Sequence, residues 1–151
     1  MLNLYREFEK VIAALDANRI PYALCGGLAM AVHGHPRATV DIDLLLKEKS
    51  VDAVKAALLP LGFEEFAFPM QLGETSIRRL TKLESGGPDS LVLDLLLTKG
   101  PVASAAWRTR TRRAWEGGRL PVVSKRGLIA MKRLRNSKQD LADIAALEGK
   151  S

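Results

Sequence analysis

Hydrophobic residues at the start of the chain recur with the spacing of one helical face. Leu4, Phe8, Val11 and Leu15 lie three or four residues apart, and polar residues fill most of the positions between them. Positions three and four apart lie on the same side of an α-helix. The pattern therefore predicts an amphipathic helix over roughly residues 2–18, with one apolar face turned toward a core.

The pattern then changes to short apolar runs, which are typical of buried strands. Residues 22–25 form the first run, and the glycine pair Gly26-Gly27 interrupts it. We expect a second helix to begin at these glycines and to extend to about Val32. A further β-type run covers residues 40–46. Helix, strand, helix and strand thus follow one another in the first third of the chain.

The middle of the chain contains one clear helix and one irregular stretch. Ser50 is a suitable N-cap for a helix that begins at about Val51, and Gly62 is a suitable end for it. Residues 63–83 mix polar and apolar positions without a clear period. We expect two weak strands in this stretch.

The remaining residues alternate between a turn, strands and helices. Residues 86–89 read Gly-Gly-Pro-Asp, a turn sequence, and residues 91–97 form a buried strand. A further strand is expected at 119–123, followed by helices near 124–135 and 138–148. The whole order predicts an α+β domain (α/β with a mixed sheet), in which helices flank the sheet and a helical tail follows it.

Length and composition are those of one globular domain. The chain has 151 residues, of which 47% are hydrophobic and 26% charged, and these values argue against disorder. No apolar run approaches the ~20 residues that a membrane span requires, and the charged N-terminus is unlike a secretory signal. The one cysteine, Cys25, has no partner for an internal disulfide. We therefore expect a cytoplasmic protein without a membrane partner.

The net charge of +6 is unevenly distributed. Residues 1–98 carry 10 Lys and Arg against 13 Asp and Glu, a net charge of −3, whereas residues 99–151 carry 13 against 4, a net charge of +9. An acidic half joined to a basic half suits an enzyme that holds metal ions and meets a polyanion, although an inert basic surface is the alternative. We expect a single domain over residues 1–151, with a catalytic core at 1–100 and a basic, mainly helical part at 101–151.

Two aspartates separated by one residue are the first candidate for chemistry. In a strand, Asp41 and Asp43 point to the same face, with Cα atoms ~7 Å apart, while Ile42 points to the core. Carboxylates this close repel each other unless a cation lies between them. Oxygen ligands at this spacing suit Mg²⁺. A pair of surface acids without a metal is the alternative.

Asp94 is the second candidate, because it is the one charged residue in the apolar run 91–97. A carboxylate within a buried strand costs free energy unless it is paired, hydrogen-bonded or bound to a metal. An aspartate at a sheet edge, or one paired with an arginine, explains the same pattern.

The glycine pair is the third candidate. Gly26 and Gly27 stand between a short strand and a helix, where glycine allows the backbone to approach a ligand closely. The amides at the start of the following helix can then hold a phosphate group. An ordinary turn is the alternative.

Together these signals resemble a known family. Residues 25–44 read Cys-Gly-Gly-Leu-Ala-Met-Ala-Val-His-Gly-His-Pro-Arg-Ala-Thr-Val-Asp-Ile-Asp-Leu. This stretch resembles the signature of the DNA polymerase beta-like nucleotidyltransferase superfamily, in which a glycine pair opens a helix and two acids follow on a strand. A third acid lies on a later strand of that signature, a place that Asp94 fits.

Within that superfamily, the chain is most similar to small bacterial proteins grouped with the AbiEii-type nucleotidyltransferase toxins. These proteins carry Gly-Gly, then His-Gly, then Arg-x-Thr-x-Asp-x-Asp. The matching positions here are Gly26-Gly27, His33-Gly34 and Arg37-x-Thr39-x-Asp41-x-Asp43. The later Leu128-Ile129-x-x-Lys132 and Lys138-x-Asp140-x-x-Asp143 also resemble the helical tail of the family.

The resemblance implies transfer of a nucleoside monophosphate from an NTP to a hydroxyl group, assisted by two Mg²⁺ ions. Asp41, Asp43 and Asp94 would hold the metal ions and carry the catalysis. Gly26 and Gly27 would bind the triphosphate of the nucleotide.

Further residues are candidates for nucleotide binding, each with a structural alternative. Arg37 pairs with phosphate, braces the aspartates or is a member of a plain salt bridge. Thr39 lines the site or fills the sheet. Lys132 reaches a phosphate or is solvated. For His33 we favour a structural hydrogen bond at the end of its helix, and for His35 a surface position.

Two smaller features have structural explanations. Asp140 has the capping-box spacing from Ser137, three residues earlier, so helix capping explains it adequately. Cys25 is expected to be a small buried residue.

Four arginines close to two tryptophans suggest RNA as a partner. Arginines beside aromatic residues suit single-stranded nucleic acid, whereas tryptophans eight residues apart are also typical of a core-facing helix. The residues concerned are Arg108, Arg110, Arg112 and Arg113, with Trp107 and Trp115.

Three functions therefore remain open. The first is a nucleotidyltransferase that modifies RNA or a protein, such as a toxin with a cognate antitoxin protein. The second is an enzyme of the same fold that adenylylates a small molecule such as an antibiotic, although the positive charge of residues 99–151 disfavours a cationic drug. The third is a non-catalytic nucleotide- or RNA-binding module.

Overall fold

The structure, a computed structural model, describes residues 1–116 and 118–149. Within these residues it contains six α-helices and eight strands. The helices are α1 (Leu4–Ala17), α2 (Gly26–Val32), α3 (Val51–Leu58), α4 (Gly100–Arg108), α5 (Lys125–Arg135) and α6 (Lys138–Leu147). The strands are β1 (Ala23–Cys25), β2 (Ile42–Leu46), β3 (Phe63–Glu64), β4 (Met70–Leu72), β5 (Thr75–Leu83), β6 (Ser90–Leu97), β7 (Thr111–Trp115) and β8 (Gly118–Val122).

The strands form one mixed sheet in the order β3-β5-β6-β2-β1-β8-β7, and β4 pairs with β5 beside β3. Strand β2 runs parallel to β6 and antiparallel to β1, while β1 runs parallel to β8. The central strands β1, β2 and β6 are the most apolar, since a strand covered on both faces must be apolar on both. This arrangement confirms the α+β class with a mixed sheet.

Ion pairs show which helices cover one face of the sheet. In strand β5, Lys82 bonds to Glu7 of α1 at 2.8 Å. Arg78 lies on the same face of β5 and bonds to Glu65, which also accepts a hydrogen bond from Lys55 of α3. Helices α1 and α3 therefore lie on this face of β5.

The opposite face of the sheet carries the polar residues of interest. Asp43 of β2 and Asp94 of β6 are neighbours there, and Arg79 of β5 pairs with Asp94 across the strands. Lys132 and Arg135 of helix α5 line a cleft together with Asp43. The sheet thus separates α1 and α3 from the candidate site.

Most of the regular elements agree with the sequence predictions. The first helix, the strand before the glycine pair, the helix after it and the last two helices are all present. Residues 63–83, expected to hold two weak strands, instead hold three, of which β5 has nine residues. Ser50 is at the N-cap position of α3, but its side chain makes no capping hydrogen bond, because a 3₁₀ turn at Glu48–Ser50 leads directly into that helix.

Residues 111–122 contain β7 and β8, which pair as an antiparallel hairpin at the edge of the sheet. Strand β8 confirms the strand expected at 119–123, whereas β7 lies where no strand is predicted. Trp107 lies on α4 and Trp115 on β7, so the two tryptophans do not share a helix face. None of the described helices is long and apolar enough to cross a membrane.

Candidate active site

Strand register brings two of the predicted aspartates together. Asp43 of β2 lies directly beside Asp94 of β6 in the parallel pair, and Cys25 of β1 lies on the other side of Asp43. Asp41 precedes β2 by one residue, so the two-residue alternation places it on the same face as Asp43. The structure therefore places Asp41, Asp43 and Asp94 on one face of the sheet.

The glycine pair follows β1 and packs against these acids. Gly26 has a φ of +67°, and a Cβ atom at this position would collide with the Asp43 carboxylate. A Cβ atom at Gly27 would lie 2.6 Å from Thr39 Oγ1 and 3.2 Å from Arg37 Nη1. Glycine is required at both positions because the side chains of the site approach the backbone so closely.

An open cleft lies above these residues, with a volume of about 280 Å³. This volume is near the lower limit for small-molecule sites. All the predicted metal and nucleotide residues except Asp94 line it. They are Gly26, Gly27, Arg37, Thr39, Asp41, Asp43 and Lys132.

The two aspartates of the β2 segment lack protein partners. Among the described residues, the carboxylates of Asp41 and Asp43 form neither a hydrogen bond nor an ion pair. Burial, and after it the charge of Asp94, raises the pKa of Asp43 to about 6. The same two causes raise the pKa of Asp41. Carboxylates in this state favour a bound cation, which would offset their repulsion.

Asp94, in contrast, has a protein partner. It is 7% exposed, and Arg79 of the neighbouring strand donates two hydrogen bonds to it, at 2.8 and 3.0 Å. Of the explanations that the sequence leaves open for Asp94, the structure shows pairing with an arginine. Asp94 still adjoins Asp43, but its carboxylate is held by a guanidinium group.

The carboxylates fit a divalent cation only in part. Among residues 1–116 and 118–149, no three His, Cys, Asp or Glu side chains are grouped as a complete metal site. Asp41 and Asp43 do provide unpaired oxygen ligands, the type that Mg²⁺ prefers. Asp94 can join them only when Arg79 releases it.

A network of buried charges lies at one side of the cleft. Asp143 of α6 accepts two hydrogen bonds from Arg37, both at 2.8 Å, and one from Lys132, also at 2.8 Å. Burial opposes the ionisation of Asp143 most strongly, but the hydrogen bonds from Arg37 and Lys132 outweigh it and lower its pKa. Lys132 is 4% exposed, so the alternative of a solvated lysine is wrong. Arg37 is likewise a member of a salt bridge.

Arg135 is a further residue of the cleft that the sequence does not predict. It lines the cleft near Asp43, its side chain is 45% exposed, and its distance to the Asp140 carboxylate is 3.6 Å. A signal was present, because Arg135 is three residues after Lys132 and therefore on the same side of the helix. Arg135 is the more accessible of the two α5 cations.

The remaining candidates have structural surroundings. His33 is buried, with its Nε2 atom 2.8 Å from the Val123 carbonyl, and burial lowers its pKa. Asp140 forms the expected capping box with Ser137. Cys25 is buried, as expected, and His35 is only half-buried rather than a fully exposed surface residue.

The basic cluster lies outside the cleft. Arg108 ends helix α4, Arg110 follows it, and Arg112 and Arg113 are neighbours in the edge strand β7. None of these four lines the cleft with the aspartates. The cluster is therefore a separate feature of the surface.

Solved structures resemble this arrangement over nearly the whole chain. A candidate nucleotidyltransferase from Thermotoga maritima has a TM-score of 0.67 at 12% identity, covering 97% of this chain and 93% of its own. The lincosamide antibiotic adenylyltransferase LnuA, in its lincomycin-bound form, has a TM-score of 0.67 at 15% identity, covering 97% of both chains. The chain has a nucleotidyltransferase fold.

A further structure with this nucleotidyltransferase fold is ANT(2")-Ia in complex with adenylyl-2"-tobramycin, with a TM-score of 0.61 at 15% identity. It covers 93% of this chain and 84% of its own. No protein-family model and no curated protein matches the sequence. The resemblance to AbiEii-type toxins stays a prediction.

Proposed function

We propose that this protein is a magnesium-dependent nucleotidyltransferase, which transfers a nucleoside monophosphate from an NTP to a hydroxyl acceptor. One observation carries the proposal. Residues from separate segments, Gly26-Gly27 and Asp41 to Asp43, meet at one cleft in which both aspartates lack a protein partner among the described residues. A tightly packed glycine backbone beside unpaired carboxylates is suited to a metal-bound triphosphate.

The metal ligands would be Asp41 and Asp43, joined by Asp94 after Arg79 has released it. When bound, Mg²⁺ would supply activation of the acceptor hydroxyl and stabilisation of charge on the α-phosphate and the leaving pyrophosphate. Asp94 adjoins Asp43 in strand register, so its carboxylate needs no movement of the backbone to contribute.

The protein groups would position the nucleotide. Gly26 and Gly27 would admit the triphosphate close to the backbone, and Arg135 would pair with its phosphates. Lys132 and Arg37 are held by Asp143, so we assign them the supporting role of shaping the cleft. Thr39 lines the cleft next to Gly27.

The transfer itself makes one bond and breaks one. The acceptor oxygen would bond to the α-phosphorus, and the bond from that phosphorus to the bridging oxygen of pyrophosphate would break. The hydroxyl proton would pass to solvent, to which the cleft is open.

A macromolecular acceptor, RNA or a protein, is our first candidate because of the charge of +9 on residues 99–151. A small-molecule acceptor is the second, supported by the likeness to LnuA and ANT(2")-Ia over most of each chain. A toxin role, with an antitoxin partner, depends on the sequence resemblance alone. A non-catalytic module would bind nucleotide without transfer.

The proposal is tested by incubating the protein and Mg²⁺ with each NTP labelled at the α-phosphate. Total RNA, total protein and a panel of antibiotics serve as separate acceptor pools. We expect label in one pool for the native protein and none for Asp43→Asn. Transfer of label by Asp43→Asn at the native rate, or no transfer to any pool, would contradict the proposal.

A further inference from the structure

A second cavity lies at the sheet edge, apart from the cleft with the aspartates. It has a volume of about 500 Å³, larger than the cleft itself. Three arginines line it, together with the buried Tyr22 and the carboxylate-bearing Asp16. The arginines are Arg108, Arg110 and Arg112. We call this space the arginine cavity.

The guanidinium groups of the arginine cavity have no carboxylate partner among the described residues. Arg110 stacks on the Trp107 ring at 3.9 Å and donates to the Trp107 carbonyl, which fixes its position. Arg112 makes only a long contact of 3.4 Å with the Arg119 carbonyl. By contrast, Arg37, Arg78 and Arg79 each bond twice to a carboxylate.

The wall of the arginine cavity also contains a buried phenol. The Tyr22 hydroxyl is buried and makes no hydrogen bond of good geometry with any described group. Burial, followed by the nearby charge of Asp16 and a hydrogen-bonding interaction with it, raises the pKa of Tyr22. Even with Asp16 included, three arginines against one carboxylate leave a net charge of +2 around the cavity.

The spacing of the arginines suits a chain of phosphates. Arg110 and Arg112 are two residues apart where the chain enters β7, so their Cα atoms are separated by ~7 Å. Successive phosphates of an extended single strand have a similar separation. Guanidinium groups bind phosphate oxygens in pairs, and two unpaired arginines at this spacing therefore favour a phosphodiester backbone over an isolated anion.

The arginine cavity and the aspartate cleft lie toward opposite ends of strand β1. Tyr22 directly precedes β1 and Gly26 directly follows it, which places them ~13 Å apart along the strand. An extended nucleic acid strand that binds at the arginine cavity can therefore reach toward the cleft.

We propose that the arginine cavity binds the phosphate backbone of single-stranded RNA. This inference rests on the proposed function only in treating RNA as the hydroxyl acceptor of the transfer. The binding itself requires neither metal nor NTP, so it can be measured without them.

The test uses two neighbouring arginines of β7. Arg112 lines the arginine cavity, whereas Arg113 points to the other face of the strand and does not. Both are exposed, so Arg112→Gln and Arg113→Gln remove the same charge without disturbing the core. Binding of a labelled RNA oligonucleotide of about 20 nucleotides is followed by fluorescence anisotropy in EDTA, over a series of salt concentrations.

We expect Arg112→Gln to weaken RNA binding about tenfold and to reduce the salt slope by about 0.7, the value for one phosphate contact on a single strand. Arg113→Gln should change the affinity less than about twofold. Equal weakening by both variants would overturn the proposal, because it would indicate diffuse attraction by net charge. No binding of RNA by the native protein would also overturn it.

Two competitors identify the source of the phosphate. Inorganic phosphate at millimolar concentration should displace little RNA, since it lacks the repeated charge. A poly-glutamate peptide of equal charge should also compete weakly. Tight binding of phosphate alone, or preference for the peptide, would overturn the assignment to RNA. A failure in these assays leaves the transferase proposal standing, because neither metal nor nucleotide is present.

Discussion

Gly26 and Asp43 are packed so closely that no side chain fits at position 26. The φ of +67° at Gly26 is also unfavourable for any residue with a Cβ atom. The residue that directly follows β1 therefore packs against the Asp43 carboxylate. The glycine is required by the site and by the backbone at the same time.

Gly26→Ala should therefore have two effects that can be separated. The left-handed conformation should cost about 1 kcal/mol, or roughly 2–4 °C in melting temperature. Displacement of Asp43 should in addition abolish nucleotide transfer. Gly73→Ala is the matched control, because Gly73 has a φ of +60° and a Cβ atom added there would meet no other atom within 4 Å. Gly73→Ala should lose only the stability due to the left-handed conformation, less than Gly26→Ala loses, and should keep full transfer. Loss of transfer in both variants would contradict the role of the Asp43 contact.

At the scale of elements, strand β5 presents two successive arginines to opposite faces of the sheet. Arg78 pairs with Glu65 on the face covered by α1 and α3, whereas Arg79 pairs with Asp94 at the candidate site. Arg78 thus forms a structural ion pair on one face, whereas Arg79 binds a candidate metal ligand on the other.

We expect Arg79→Gln to strengthen the binding of Mn²⁺, used as a probe for Mg²⁺, because it frees the Asp94 carboxylate. A charge-assisted hydrogen bond contributes about 1.5–3 kcal/mol, so the affinity should rise about tenfold by calorimetric titration. The melting temperature without metal should fall, since Asp94 is left buried and unpaired. Arg78→Gln is the control and should leave Mn²⁺ affinity unchanged. Equal Mn²⁺ affinity in the native protein and Arg79→Gln would show that Arg79 does not compete with the metal.

Helix α6 is attached to the site through one buried carboxylate. Asp143, with 2% of its side chain exposed, holds both Arg37 and Lys132. Asp143→Asn leaves these cations without their charged partner, and we expect a loss of about 3 kcal/mol, or roughly 6–12 °C, in thermal melts. Arg133 is 60% exposed and pairs with Glu148 at the surface. Arg133→Gln should therefore lower the melting temperature by less than about 4 °C. Similar losses in both variants would mean that Asp143 is no more than a surface partner.

The elements that the sequence predicts well are those whose burial follows a simple period. Helix α1 buries Phe8, Val11 and Leu15 on one side, and β6 is an almost continuous apolar run. Strand β7 was missed because all but one of its residues are exposed at the sheet edge, so it has no apolar alternation. Helix α4 was missed although Pro101 lies in its first turn, a recognisable start signal.

The candidate site was predictable in its acids and glycines but not in its partners. Alternation alone places Asp41 and Asp43 on one face. The pairing of Arg79 with Asp94 depends on the register between β5 and β6, which a single sequence does not contain. The burial of Lys132 likewise depends on how α6 packs against α5, which places Asp143 beside it.

At the scale of the whole molecule, the sheet carries two sites with different unpaired charged groups. The cleft beside β2 carries unpaired carboxylates that favour a cation, whereas the arginine cavity beside β7 carries guanidinium groups without carboxylate partners in the described part of the chain, and these favour an anion. Residues from both the acidic and the basic half of the sequence line each of the two sites. A metal–nucleotide at one and an RNA strand at the other would complement both charges.

Thermal melting with and without Mg²⁺ and an NTP tests the nucleotide site most directly, because it does not require the acceptor to be known. A ligand that binds only the folded state raises stability by mass action, and a hundredfold excess over Kd corresponds to about 2.7 kcal/mol, or roughly 5–10 °C.

We expect this rise for the native protein and for the control Asp52→Asn, which changes an exposed aspartate on α3. Asp43→Asn should show no rise. Its melting temperature without ligand should equal or exceed that of the native protein. Burial and the charge of Asp94 raise the pKa of Asp43, which means that the ionised carboxylate destabilises the folded state at neutral pH and that the neutral amide removes this cost. An equal rise in the native protein and Asp43→Asn, or a destabilised Asp43→Asn with no response to Mg²⁺–NTP in either protein, would contradict a metal–nucleotide site at Asp43.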